Sequence, residues 1–156
     1  GFLLFLILGN DSDNDYKSSS IDSESTKSNQ ATYVDSRTGS QVKNPFSFLN
    51  SNVLIQENQD ILKKYSNYTA ASPNQDLSDL VSQGWDCMEQ RRPDYKCAYK
   101  YNLEAFKMAH PEGAVNIGII FERKGDFEQN RIGNDKNALS DFVMAYKWFK
   151  LSNNST

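Results

Sequence analysis

The sequence predicts an all-α fold in which helical hairpins repeat along the C-terminal half, preceded by a disordered N-terminal segment. Three observations carry that expectation. From residue 77 to residue 152 the apolar side chains recur three or four positions apart, the spacing that gathers them on one face of a helix. A four-residue stretch, Ala98-Tyr99-Lys100-Tyr101, returns as Ala145-Tyr146-Lys147-Trp148. From Asn10 to about Asn44 the chain is Ser, Asp, Asn, Thr, Lys and Gln with isolated larger residues, too little apolar surface to offset the entropy of ordering.

The chain opens with Gly1-Phe2-Leu3-Leu4-Phe5-Leu6-Ile7-Leu8, eight residues without charge. This resembles the apolar core of a signal peptide or the end of a membrane anchor, and it is shorter than the roughly 20 residues a bilayer span needs. Residues 1–9 are therefore read as a truncated signal peptide or anchor and 10–44 as a disordered polar linker. Asn44-Pro45 signals a turn, after which Pro45 to Leu49 are expected to tuck against the folded part. Ser51 is placed to cap a helix carrying Val53, Leu54, Ile61, Leu62 and Tyr65, and Asn67 to Asn74, with Ser72-Pro73, to break it. That N-terminal helix or cap occupies 45–72, and residues 73–156 hold the repeats.

Four more helices are expected. Leu77 to about Gln90 presents Leu80, Val81, Gly84, Cys87 and Met88 at helical spacing, and Arg91-Arg92-Pro93 ends it. Asp94 to about Ala109 follows with Cys97, Ala98, Tyr101, Ala105 and Met108, and His110-Pro111-Glu112-Gly113 makes a tight connection. Ala114 to about Lys124 is expected to stop at Gly125, and a long polar loop then reaches a last helix, about Asn137 to Ser152.

The net charge of −3 sits in one place. Residues 10–30 hold five acids against two bases, so the rest balances at fifteen of each. A balanced folded part offers no basic footprint for phosphates, so nucleic acid is not an expected partner. Cys87 and Cys97 form a disulfide if the chain is exported and stay free thiols in the cytosol. Two thiols and a remote His110 do not make a zinc site, and no metal or cofactor is expected.

The recurring tetrapeptides have matching surroundings. Leu80-Val81-Ser82-Gln83-Gly84 lines up with Ala114-Val115-Asn116-Ile117-Gly118, which sets Cys87 against Phe121. In a tight hairpin one turn needs a residue without a side chain, and Gly84 and Gly118 supply it at a cost of about 1 kcal/mol of helix propensity each. Ala98 and Ala145 are expected to face them, with Tyr101 and Trp148 filling the space beside. At these residues the sequence resembles the Sel-one-like repeat, a relative of the tetratricopeptide repeat. Ala114, Ile117, Gly118 and Phe121 match its first helix, and Ala145, Trp148 and Phe149 its second.

The resemblance implies a short right-handed solenoid of two repeats, about 77–109 and 114–152. Two departures stand out. Phe121 to Ala145 spans 24 positions where Cys87 to Ala98 spans 11, and Cys87 occupies a place where the family has an aromatic. The cysteine pair also resembles the family's cysteine-rich secreted branch, in which each hairpin is stapled, and the apolar start, read as an export signal or anchor, implies a periplasmic, secreted or membrane-anchored location in which the bridge forms.

Family members act as adaptors or scaffolds, so the resemblance implies a protein or peptide partner held in a groove lined by the first helix of each repeat. The groove candidates are Gln83, Asp86 and Gln90, then Val115, Ile119 and Glu122. No catalytic residue is assigned and the chain is not expected to be an enzyme. His110 is the single histidine, it stands in a connection, and no serine lies in a Gly-rich elbow. Two alternatives accompany this reading: weak binding or hydrolysis of β-lactams, described for some cysteine-rich relatives, and a structural role in oligomerisation. Asn67-Tyr68-Thr69, Asn153-Asn154-Ser155 and Asn154-Ser155-Thr156 fit the glycosylation pattern of a eukaryotic exported protein.

Overall fold

The computed structural model describes residues 31–65, 75–108 and 110–153. The apolar start, residues 10–30, the expected break at 67–74 and the last three residues lie outside the described residues, and with them the glycosylation triplets wholly or in part.

The described chain begins with a hairpin, β1 (Thr32–Val34) and β2 (Gln41–Lys43), antiparallel with Tyr33 opposite Val42. A 3-10 turn, Ser47–Asn50, leads to five helices: α1 (Asn52–Lys64), α2 (Gln75–Met88), α3 (Tyr95–Lys107), α4 (Pro111–Phe127) and α5 (Asp135–Asn153). One π turn, Glu128–Ile132, joins the last two. The described residues are mostly helical, as expected, with one small sheet among them.

That sheet corrects the reading of 10–44 as a disordered linker throughout. The segment lacks a core of its own and borrows one: Tyr33, 4 % exposed, meets Phe127 edge-on with ring centroids 4.8 Å apart. Beside it, the Asp35 carboxylate accepts from Arg131 Nη1 at 3.1 Å, and Ser36 N donates to the Arg131 carbonyl at 2.7 Å. Gly39, at φ 74°, takes the left-handed conformation that closes the turn. Pro45 to Leu49 tuck inward as expected: Phe46 stacks on Tyr95 at 4.3 Å, and Asn44 Oδ1 accepts from Phe46 N at 2.9 Å to set the turn.

Capping explains where the helices start. Ser51 Oγ accepts from Leu54 N at 3.2 Å, and Asp94 Oδ1 accepts from Cys97 N at 3.0 Å. His110 Nδ1 accepts from Glu112 N at 3.3 Å with Pro111 in the first turn, where its missing N–H leaves no bond unmade.

The expectation that Gly125 ends α4 and opens a long loop is wrong. The helix runs to Phe127, the π turn follows, and Gly133 at φ 82° caps it just before α5 begins. Gly125 stays helical because the Phe142 ring of α5 presses against it, so that a Cβ would sit 2.5 Å from Phe142 Cε1. Three charges at the ends of the polar stretch are paired inside: Lys124 Nζ lies 3.2 Å from Glu128 Oε2 and 2.8 Å from Asp141 Oδ1.

Helices α2 and α3 pack as one hairpin and α4 and α5 as another, with α4 also against α3. The core between them holds Met88, Phe106, Ile117, Ile120 and Trp148, each nearly or fully excluded from water and each stabilising by about 1.5–3 kcal/mol. Helix α1 lies across α3 and α5, its Tyr65 ring edge-on to Phe106 at 5.1 Å.

Candidate interaction site

The two hairpins share one close contact in the same register. A Cβ on Gly84 would collide with the Asn102 side chain and lie 3.3 Å from Tyr101 Cβ; a Cβ on Gly118 would lie 2.5 Å from Phe149 Cε1. Asn102 follows Tyr101 and Phe149 follows Trp148, so each glycine meets the residue just after the aromatic of the recurring tetrapeptide. Ala98, Ala114, Ile117, Phe121, Ala145 and Trp148 are buried, and Tyr101 and Phe149 are half-buried. Two details depart from expectation, and the first is that the atoms nearest the glycines belong to Asn102, Tyr101 and Phe149 and not to Ala98 and Ala145. The ring against Gly118 is that of Phe149, while the Trp148 ring stands 5.6 Å from Phe106 and its Nε1 donates to Asn58 Oδ1 at 3.0 Å.

Cys87 and Cys97 stand at disulfide-bonding distance, Cα atoms 5.9 Å apart, across the turn between α2 and α3. The same turn is held by Asp94 N donating to the Cys87 carbonyl at 2.9 Å.

On the outward face of the first helices the expected groove candidates are joined by residues the sequence reading did not include. Val115 and Ile119 are half-buried and Glu122 is exposed, at positions that share one stripe of α4. Next to it, α2 contributes Trp85 and Glu89. Arg123 of α4 stands 5.9 Å from the Trp85 ring centre and 3.9 Å from Glu89 Oε2. Gln83, Asp86 and Gln90 are exposed; at about 100° per residue Gln83 falls nearly opposite Trp85, and Gln90 lies past the end of α2. The half-buried Trp85 marks the side of α2 that faces α4.

Two buried polar networks were not foreseen. In the first, Asn58 of α1 joins both hairpins, with Nδ2 donating to Tyr99 Oη at 3.1 Å and to the Leu54 carbonyl at 2.9 Å, while Oδ1 accepts from Trp148. Burial pushes the Tyr99 hydroxyl pKa up, and the negative charge of Glu57 adds to it. The sequence signal was an asparagine on the apolar face of α1, between Leu54 and Ile61. In the second, Lys124 holds two carboxylates, Glu128 and Asp141. Burial raises Asp141 to about 6 against the opposing pull of Lys124, because one cation does not compensate two desolvated anions. Its signal was the four-residue spacing of Lys124 and Glu128. At the sheet, the backbone N–H of Arg37 and the guanidinium groups of Arg37 and Arg131 hold Asp35 below the usual carboxylate range.

An open groove along α1 is lined by Glu57, Asp60, Lys64, Tyr65 and Lys107 among others, with no histidine, cysteine or serine in its wall. Among the described residues no group of three His, Cys, Asp or Glu is placed to hold a metal ion, and no helix is long and apolar enough to cross a membrane. No protein-family model matches the sequence, and no curated protein or solved structure matches it either.

Proposed function

We propose that this chain is a protein–protein interaction module of the Sel-one-like repeat type, an adaptor or scaffold exported from the cytoplasm or tethered to a membrane. The observation that supports it most is the shared register of Gly84 on Asn102 and Gly118 on Phe149. Two hairpins closed by the same contact stack into a wall, and the outward side of α2 and α4 becomes its binding face. That face carries Trp85, Val115 and Ile119 amid Glu89, Glu112, Glu122 and Asp126, with Arg123 between them. Its chemistry suits an extended or helical peptide with apolar anchors and basic flanks. The cysteine pair is compatible with an oxidising compartment, the setting in which such bridges persist.

Panning a displayed peptide library against the full chain tests this reading. Selected peptides are expected to be basic and apolar, and to lose at least about tenfold in affinity, or about 1.4 kcal/mol, on Ile119→Arg or Trp85→Ala. Gln83→Ala and Gln90→Ala should leave binding unchanged. Peptides that bind Ile119→Arg as well as the parent chain contradict the assignment of the face, and turnover of a chromogenic β-lactam by the purified chain supports the enzymatic alternative instead.

A further inference from the structure

We propose that two copies of this chain pair face to face through the outer side of the α4–α5 hairpin, α4 of each lying along α5 of the other. This rests on the reading of the α4 stripe as a docking surface and names its occupant.

The observation is a pair of matched seams. Along α4 the residues Glu112, Val115, Ile119, Glu122 and Asp126 follow one another at intervals of three, four, three and four; along α5, Lys136, Leu139, Val143, Tyr146 and Lys150 do the same. This alternation is the heptad spacing by which one helix offers another a continuous strip. Each strip is apolar toward the middle and carries one sign of charge at both ends, carboxylates on α4 and ammonium groups on α5. The end charges stand the same number of residues apart on both helices, about 21 Å at 1.5 Å per residue.

Both strips are open. Leu139, Val143 and Tyr146 are 66 %, 45 % and 64 % exposed, an aligned apolar row that soluble surfaces seldom leave in water. Glu112, Glu122, Asp126, Lys136, Lys147 and Lys150 are exposed, and Val115 and Ile119 are half-buried. The other sides of the same two helices carry Ile117, Phe121, Trp148 and the Lys124–Asp141 pair, all buried. The two strips therefore share the outer face of one hairpin.

A two-fold axis running along the hairpin sets α4 antiparallel to the α5 of the second copy. Glu112 then comes beside Lys150, Ile119 beside Val143 and Asp126 beside Lys136, and symmetry repeats the set. The same-helix pairings are disfavoured: α5 on α5 opposes lysine to lysine, and α4 on α4 opposes carboxylate to carboxylate.

Sedimentation velocity of the full chain, from roughly 10 µM to 1 mM, reads the outcome in the concentration range where small interfaces dissociate. The expected result is a monomer–dimer equilibrium weakened at least about tenfold between roughly 50 and 500 mM salt. Val143→Glu abolishes it. So do the triple reversals Lys136→Glu/Lys147→Glu/Lys150→Glu and Glu112→Lys/Glu122→Lys/Asp126→Lys, with circular dichroism confirming that each variant, altered on the outer face only, stays helical. An equimolar mixture of the two triples dimerises again, since a wholly acidic face then meets a wholly basic one. A chain that stays monomeric throughout, a dimer that survives Val143→Glu, or a mixture that does not re-form overturns the pairing. Co-sedimentation of a monomeric chain with phosphatidylglycerol vesicles, lost in the lysine triple, assigns the α5 seam to a lipid surface and overturns it too. Peptide capture sensitive to Ile119→Arg by a chain that never dimerises leaves the adaptor reading standing and removes only this one.

Discussion

Replacing Gly118 by alanine sets two known effects against each other. Alanine gains up to about 1 kcal/mol of helix propensity over glycine in a helix interior. Against that gain, its Cβ would lie 2.5 Å from Phe149 Cε1 and 2.6 Å from Cδ1, distances at which the ring has to move. Overpacking of this kind costs about 1–3 kcal/mol. Phe149 is half-buried, so its ring can swing partly into water, and the net loss is expected near 1–2 kcal/mol. With an unfolding entropy of about 2.1 cal/mol/K per residue over the ordered part, that lowers Tm by roughly 4–8 °C. Gly113→Ala is the comparison. Its Cβ meets the backbone of Asn102 and Phe106, the Phe106 nitrogen at 2.8 Å, and no side-chain rotation relieves that, so the loss exceeds about 3 kcal/mol. Thermal and urea melts followed by far-ultraviolet circular dichroism measure both. A Gly118→Ala variant as stable as the parent, or a Gly113→Ala variant less affected than Gly118→Ala, refutes the close approach of these helices.

Four further outcomes follow from the buried chemistry. Lys124→Met leaves Glu128 and Asp141 without their shared cation and is expected to cost about 3–5 kcal/mol in urea unfolding. Asp141, raised to about 6, binds its proton more tightly in the folded chain than in the unfolded one. Its contribution is therefore full below the ordinary carboxylate range and is lost as pH rises through about 6, so the stability of the parent relative to Asp141→Asn should fall across that window. Closing the short loop between Cys87 and Cys97 stabilises by about 3 kcal/mol on the chain-entropy account, so Cys97→Ser or added reductant lowers the urea midpoint correspondingly. Trp148→Phe removes the donor to buried Asn58 Oδ1 and should cost about 1–3 kcal/mol, with a coupling above about 0.5 kcal/mol to Asn58→Leu in a double-mutant cycle.

What the sequence made legible was what depends on local periodicity. The five helices, the Ser51 cap and the inward tuck of Phe46 follow from spacing within one or two turns, whereas the residues that press on Gly84 and Gly118 are Asn102 and Phe149 and not the expected alanines. The misreadings share a cause, since each depended on what a distant element supplies. Gly125 reads as a stop until Phe142, seventeen residues on, is known to press on it. Residues 32–43 look unable to order until Phe127 and Arg131 provide a surface and a charge. Trp85 and Glu89 are absent from the expected groove lining because periodicity gives the face of a helix and not the neighbour it meets; Arg123 of α4 reaches both. The Asn58 and Lys124 networks went unseen for the same reason, each joining residues from different helices.

The claim beneath the adaptor reading is that both hairpins close on a glycine in one register, and nuclear Overhauser contacts from the α-protons of Gly84 and Gly118 test it without altering the molecule. Strong contacts are predicted from Gly84 to the side-chain amide of Asn102 and from Gly118 to the ring of Phe149. If either α-proton instead sees only its own helix, the two hairpins do not share a packing contact and the paired-repeat account is wrong.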